Sequence, residues 1–443
     1  MMKLTLVGAL ALMAIGCGSD SNSGAFAGAT GGSAGAGGSV GGAGGSASGG
    51  AAGAGGSTGG VGGNAGSAGT IGGAAGSAGE APVSSLDDWS GSQDIKATVL
   101  WHFGDVADVP DFVAPAPNGG INVARRVFDP FLRQYDATGA LSWTELDDFP
   151  FFALTQDVIT ASDGSLLVFG ADAHPDDPGC YVNHYAQSGD SLGAGRLASP
   201  QNLDWWQDVD VNPEGDSVAL FTTESNISVW KYSKTGDVVW QNSMERPVRS
   251  TFSSVVAYPN GEALVVTQVV EDEGNVKYLE ITKLDAVGQQ AWKQKWDTPA
   301  EQGAADVVRD GQGGAYIMNF EGRALIRHLD AQGAVLWERD FGDQLTGYGK
   351  LLVDDAASPL LIGRGHTSEG PALSNAIFLR LDGQGQVTRR SEFGSGRADS
   401  VADAVYTEAG DILLLIHEWS TDAEIKDYEQ GPEGTVLKVH LDG

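Results

Sequence analysis

A five-residue turn signature recurs along this chain about every 50 residues, and that repetition constrains the fold more than any other feature. It reads Tyr135-Asp136-Ala137-Thr138-Gly139, Tyr185-Ala186-Gln187-Ser188-Gly189, Tyr232-Ser233-Lys234-Thr235-Gly236 and Leu284-Asp285-Ala286-Val287-Gly288. It continues as Leu329-Asp330-Ala331-Gln332-Gly333 and Leu381-Asp382-Gly383-Gln384-Gly385, and begins again at Leu441-Asp442-Gly443. The intervals between the six complete glycines are 50, 47, 52, 45 and 52 residues. Each signature joins two apolar, β-rich runs. Its Asp or Ser can bond turn amides and its Gly can adopt positive φ, so it predicts a β-hairpin. A period of this size marks a repeat architecture.

Each repeat carries more than the hairpin. Four residues after the turn glycine stands Trp143, Trp240, Trp292 or Trp337, with Gly193 and Arg389 at the same place in the second and sixth repeats. Upstream lies a second hairpin, whose first strand often opens with an acid: Asp157, Asp208, Asp306 or Asp403. Four strands in about 50 residues, repeated, predict an all-β propeller of four-stranded blades. The segment Thr98-Val99-Leu100-Trp101 matches the fourth-strand pattern of Val335-Leu336-Trp337 but precedes the first complete hairpin. Six internal fourth strands and this one make seven. The sequence therefore predicts seven blades, with the N-terminal strand completing the last blade and removing an open edge.

The N-terminal region reads differently. Met1-Met2-Lys3 followed by an apolar run from Leu4 to Ile15 has signal-peptide length, too short for a transmembrane helix. The run ends in Ala14-Ile15-Gly16-Cys17, which resembles the lipobox of bacterial lipoproteins. That resemblance implies a signal peptide over 1–16, lipidation of Cys17, and, with Gly18 following it, the outer membrane or surface of a Gram-negative cell. Residues 18–79 hold 27 of the 65 glycines, and the rest are nearly all small. Residues 17–95 are thus expected to be a lipidated tether and 96–443 the propeller.

From Lys96 onward the chain carries 25 basic against 53 acidic groups, a formal charge of −28. Such a field repels nucleic acid and anionic lipid head groups, so neither is an expected partner. Of the two cysteines, Cys17 is the expected lipid site, which leaves Cys180 unpaired and makes a hydrophobic core the source of stability.

The repeats resemble SBBP-type bacterial β-propeller repeats, which pass from an Asp- and Gly-marked strand pair into a K-L-D-x-x-G-x-x-x-W hairpin. The resemblance extends from Thr98 to Gly443 and implies a seven-bladed propeller of secreted or surface proteins, without a shared chemistry. Asp136-Ala137-Thr138-Gly139-Ala140-Leu141-Ser142-Trp143 is also similar to the tryptophan-docking repeat of quinoprotein-like propellers. The quinone enzymes of that group carry an adjacent cysteine pair, absent here, whereas outer-membrane assembly scaffolds of the group are themselves lipoproteins.

Two sets of residues stand out as sites. Asp157, Asp208, Asp306 and Asp403 open the innermost strands, and could together line one mouth of the central channel. An oxygen-rich ring suits Ca²⁺ or a basic ligand, while the plainer reading has each aspartate capping its own loop. Ser254 and Lys350 interrupt the set. The second set lies on the longer, irregular connections, expected on one face: Asp172, Asp176, Trp205, Trp206, Trp419 and Tyr428. Propellers generally bind through such rims, so this face is the expected site for a protein or glycan ligand. No motif arranges a nucleophile, acid and base, and no catalytic residue or obligatory cofactor is assigned. The expected function is a non-enzymatic binding or scaffold module on the cell envelope. The alternatives are an extracellular polymer hydrolase or lyase, or an outer-membrane assembly scaffold.

Overall fold

The structure, a computed structural model, describes residues 90–441 apart from short stretches, mostly in connections, of which the longest is 420–432. The expected signal peptide, Cys17, nearly all of the tether, Asp176 and Tyr428 lie outside the described residues.

The described chain forms seven four-stranded antiparallel blades in a ring. Among the described residues there is no α-helix, only one 3₁₀ turn at Pro117–Gly119, and no helix long and apolar enough to cross a membrane. Blade 1 is built from Phe112–Pro115, Ile121–Ala124, Leu132–Tyr135 and Leu141–Glu145, and each later repeat supplies its strands in the same order. The innermost strands of blades 2 to 7 are Ala153–Thr160, Trp205–Val211, Ser250–Ala257, Gly303–Arg309, Gly349–Val353 and Ala398–Tyr406.

Blade 7 has only three strands from its own repeat. Ile95–Phe103 pairs antiparallel with Glu433–Leu441, from Ile95 opposite Leu441 to Phe103 opposite Gly434, and becomes its fourth strand. The ring closes as the repeat count requires. Just upstream, Ser90–Gly91 pairs with Phe393 and Gly394 on the outer edge of blade 6.

The turn signature acts as its residues predict. Asp136 Oδ1 accepts hydrogen bonds from the Thr138 and Ala140 amides at 2.8 and 3.0 Å, and Asp285, Asp330 and Asp382 bond the same two positions in their own turns. The glycine follows in the left-handed region, at φ +85° for Gly139 and +73° for Gly385. This conformation costs an L-residue about 1–2 kcal/mol, which is why glycine closes each signature.

The tryptophans join neighbouring blades. Each indole lies against the turn glycine of the next blade: a Cβ added to Gly189 would sit 2.7 Å from Trp143, one on Gly288 2.8 Å from Trp240, and one on Gly385 2.7 Å from Trp337. Trp101, from the N-terminal strand, covers Gly139 in the same way, carrying the arrangement across the closure. The indole N–H groups of Trp143, Trp292 and Trp337 donate to the carbonyls of Gln187, Ala331 and Gly383, each two residues before the glycine it covers. The residue opening the next turn packs in the same cluster, as with Trp101 and Tyr135, Trp240 and Leu284, or Trp337 and Leu381. Burying one indole is worth roughly 4–6 kcal/mol gross as an upper bound.

The basic residues that precede the outer turns are paired within their own blades. Lys231 meets Asp216 at 2.9 Å, Lys283 meets Glu262 at 3.1 Å, His328 meets Asp310 at 3.0 Å and His440 meets Asp411 at 2.8 Å. Each acid comes from the inner hairpin turn, so the pair holds the third strand to the first turn.

Candidate functional site

Seven residues occupy one level of the channel, each three positions before the end of its innermost strand: Phe112, Asp157, Asp208, Ser254, Asp306, Lys350 and Asp403. In blades 2, 3 and 7 the strand register shifts immediately before the acid, between Thr155 and Asp157, Trp206 and Asp208, and Val401 and Asp403. Such bulges re-aim side chains. The four acids singled out in the sequence thus share a level, and Lys350, which seemed to break the pattern, is part of it.

Three of the carboxylates reach across to the next blade. Asp208 Oδ2 accepts from the Ser254 hydroxyl at 2.6 Å and the Val255 amide at 2.8 Å. Asp306 Oδ2 accepts from the Leu351 amide at 2.8 Å, and Asp403 Oδ2 from the Val113 amide at 2.9 Å. These amides stand one residue past the ring position in blades 4, 6 and 1. The repeating bond therefore clasps consecutive innermost strands, and in blade 7 it spans the closure. Asp157 departs from this: among the described residues it accepts only from its own neighbour, the Val158 amide, at 2.7 Å. Among the described residues Asp157 thus bonds only within its own strand, while the other three reach the next blade.

Lys350 supplies the positive charge. Its ammonium lies 3.0 Å from Asp403 Oδ1, and Asp403, first, then Asp306 and Asp157 hold its pKa above the usual lysine value. Enclosure by protein raises the pKa of Asp157 to about 7, with repulsion from Asp403 and Asp208 adding to it and attraction to Lys350 opposing it. Burial likewise lifts Asp208 to about 6, against the opposing Ser254 and Val255 bonds. Burial also raises Asp306, with Lys350 and the Leu351 amide opposing. Influence between blades 2, 6 and 7 places these groups around one shared space.

A second ionic layer lies nearer the short-turn face. Asp210 Oδ2 accepts from the Ala257 amide at 2.8 Å. Arg309 of blade 5 donates to the Ala257 carbonyl at 2.7 Å and the Val211 carbonyl at 3.4 Å, with Asp210 at 3.8 Å. One guanidinium thereby ties blades 3, 4 and 5 together.

Among the described residues no group of three or more His, Cys, Asp or Glu side chains is set to hold a metal ion. The channel carboxylates turn toward amides, a hydroxyl and Lys350.

The remaining predicted residues sit at the opposite end of the strands. Trp205 and Trp206 begin the innermost strand of blade 3, Asp172 ends the second strand of blade 2, and Trp419 ends the second strand of blade 7. Strand direction puts all four at the face away from the glycine turns, where the longer connections run. Their side chains lie outside the described residues, as does that of Cys180 in the third strand of blade 2. Two features were not singled out in the sequence: the Asp210–Arg309 layer and the role of Lys350. The only signal for Lys350 was its alignment with the acids.

No family model and no curated protein matches this chain. Among solved structures it is similar to the Dos1 propeller, at 10% identity over 76% of this chain and 93% of that one, with a TM-score of 0.49. A Lactobacillus plantarum protein matches at 12% identity over 64% of this chain and 88% of its own, with a TM-score of 0.44. A Bacteroides caccae protein of unknown function matches at 16% identity over 52% and 81%, with a TM-score of 0.35.

Proposed function

We propose that this chain is a lipid-anchored protein of the bacterial cell envelope whose propeller is a non-enzymatic binding or scaffold module. The observation that carries this reading is the use of the channel carboxylates. Asp208, Asp306 and Asp403 hold adjacent blades together, which is the work of a scaffold. Function then falls to a face, and topology gathers Asp172, Trp205, Trp206 and Trp419 at the face with the longer connections. Aromatic side chains at such a rim suit a protein surface or a sugar ring. The acidic balance favours a neutral or basic ligand. Cys17 and the glycine-rich segment after it supply anchor and reach, as the lipobox resemblance implies.

A second reading has one observation in its favour. A carboxyl titrating near neutrality, as Asp157 does, is what a general acid or base requires. A hydrolase or lyase acting on an extracellular polymer would place its substrate at the channel mouth.

The test uses the full chain extracted in detergent, probed with identified envelope proteins and a glycan panel, with and without Ca²⁺. Saturable binding that is lost in Trp206→Ala and Trp419→Ala supports the binding module. Cleavage of a panel polymer, abolished by Asp157→Asn, would replace it with the enzyme reading. The anchor is checked by fatty-acid labelling, expected to disappear in Cys17→Ser.

A further inference from the structure

The seven seams between blades are not equally fastened. Indoles cover the next turn glycine from blades 1, 3, 4, 5 and 7. In blade 2 the equivalent residue is Gly193, which carries no side chain, and among the described residues a Cβ added there would meet nothing within 4 Å. Blade 6 also lacks the indole, having Arg389, but its seam with blade 7 has other ties. Lys350 pairs with Asp403, and Ser374 bridges Ala398 between the two sheets. Among the described residues the seam between blades 2 and 3 has no such substitute at the ring level. Asp157 leaves the Val209 amide unclasped, whereas Asp208 takes Val255 and Asp306 takes Leu351. Among the described residues its buried core is Phe169, Val209, Ala219, Phe221 and Tyr232, with Ile159, Leu167, Val182, Val211 and Trp230 partly buried against it.

We propose that the seam between blades 2 and 3 is the point at which this ring opens, and that the charge on Asp157 sets how readily it does so. The groups sharing the level with Asp157 are Asp208 of blade 3, Asp306 of blade 5, Lys350 of blade 6 and Asp403 of blade 7. Phe112 and Ser254, from blades 1 and 4, bring no charge, and the Asp210–Arg309 pair lies one layer away. The one ammonium at this level is closest to Asp403. An ionised Asp157 therefore meets the Asp403 and Asp208 carboxylates, offset only by a Lys350 ammonium already paired with Asp403, and a protonated Asp157 does not. Its raised pKa places this change near neutral pH. Alkaline conditions loosen the seam and mild acid closes it.

The test is hydrogen exchange on the full chain, read by mass spectrometry and corrected for intrinsic rates. It compares innermost strands, which hold equivalent places in their blades. At pH 8, Ala153–Thr160 and Trp205–Val211 are expected to exchange at least about tenfold faster than Ser250–Ala257 and Gly303–Arg309, the effect of roughly one pKa unit. At pH 5.5 the difference shrinks. In Asp157→Asn, or in Asp157→Ser, which copies the ring residue of blade 4, it stays small at both pH values. Equal protection of all innermost strands in the wild-type chain, which needs no variant, would overturn the proposal. So would an unchanged pH dependence in the Asp157 variants.

Discussion

The docking of Trp337 on Gly385 gives a prediction with a magnitude that follows from geometry. Gly385 has φ +73°, and a Cβ built on it falls 2.7 Å from the Trp337 ring. Gly385→Ala therefore carries two costs, about 1–2 kcal/mol for the left-handed backbone and about 1–3 kcal/mol for overpacking against the indole. Trp337→Ala alone removes a ring that is 7% exposed and is expected to cost about 3–5 kcal/mol. In the double variant the overpacking vanishes, so adding Gly385→Ala to Trp337→Ala costs only the backbone part. The two sites are thus coupled by about 1–3 kcal/mol, measurable as a double-mutant cycle in urea unfolding. Gly410→Ala is the control, because Gly410 has φ +79° but nothing within 4 Å of its added Cβ. Its cost should be about 1–2 kcal/mol and indifferent to Trp337. A Gly385→Ala penalty that is the same with and without the indole would refute docking as the device joining blades 5 and 6.

Three further outcomes follow. Asp157 and Asp208 are raised to about 7 and about 6 from 3.8, so between those values the folded chain holds protons that the unfolded chain has released. Stability should therefore fall as pH rises from about 4 to 8, by up to roughly 7 kcal/mol, and Asp157→Asn should flatten that slope in pH-dependent urea melts. Asp310, lowered because the His328, Gln312 and Gly314 bonds outweigh its burial, works in the opposite sense and loses its contribution below about pH 4. Lys350→Met leaves Asp403, Asp306 and Asp157 without their ammonium. As Lys350 is 38% exposed, the expected cost at pH 8 is about 1–3 kcal/mol, shrinking at pH 5, and an equal cost at both would count against the ionic ring. Deleting residues 90–103 removes the fourth strand of blade 7 and Trp101. Size-exclusion chromatography should then show association through the exposed edge, and an unchanged monomer with an unchanged melt would contradict the closure.

The fold was legible in the sequence because a blade is a local object. Turn glycines, Asx-type turn acids and apolar runs all act within about 50 residues, and the match of Thr98-Val99-Leu100-Trp101 to the fourth-strand pattern pointed to the strand that completes blade 7. The tryptophan column was legible as a recurring position four residues past the turn glycine. Its docking partner was not, because Trp337 and Gly385 are 48 positions apart and meet only when consecutive blades stack. The channel acids were visible as strand-opening residues, but their bonds join different repeats. Asp403 reaches Val113 across 290 positions, a pairing that no spacing rule contains. Lys350 read as an interruption because a lysine among aspartates breaks a pattern of residue type, although it completes a pattern of charge. The binding face was legible only as loop length and aromatic content, and strand direction adds that Trp205, Trp206 and Trp419 share it.

We propose the ring as a scaffold and the long-connection face as its binding surface. The measurement that tests it most directly is a binding isotherm of the full chain with its identified protein or glycan ligand, repeated with the Trp206→Ala, Trp419→Ala double variant. The account predicts a loss of about tenfold or more in affinity, the equivalent of about 1.4 kcal/mol or more, with no change in melting temperature. Undiminished affinity in a folded double variant, or affinity lost instead on altering the short-turn face, would contradict it.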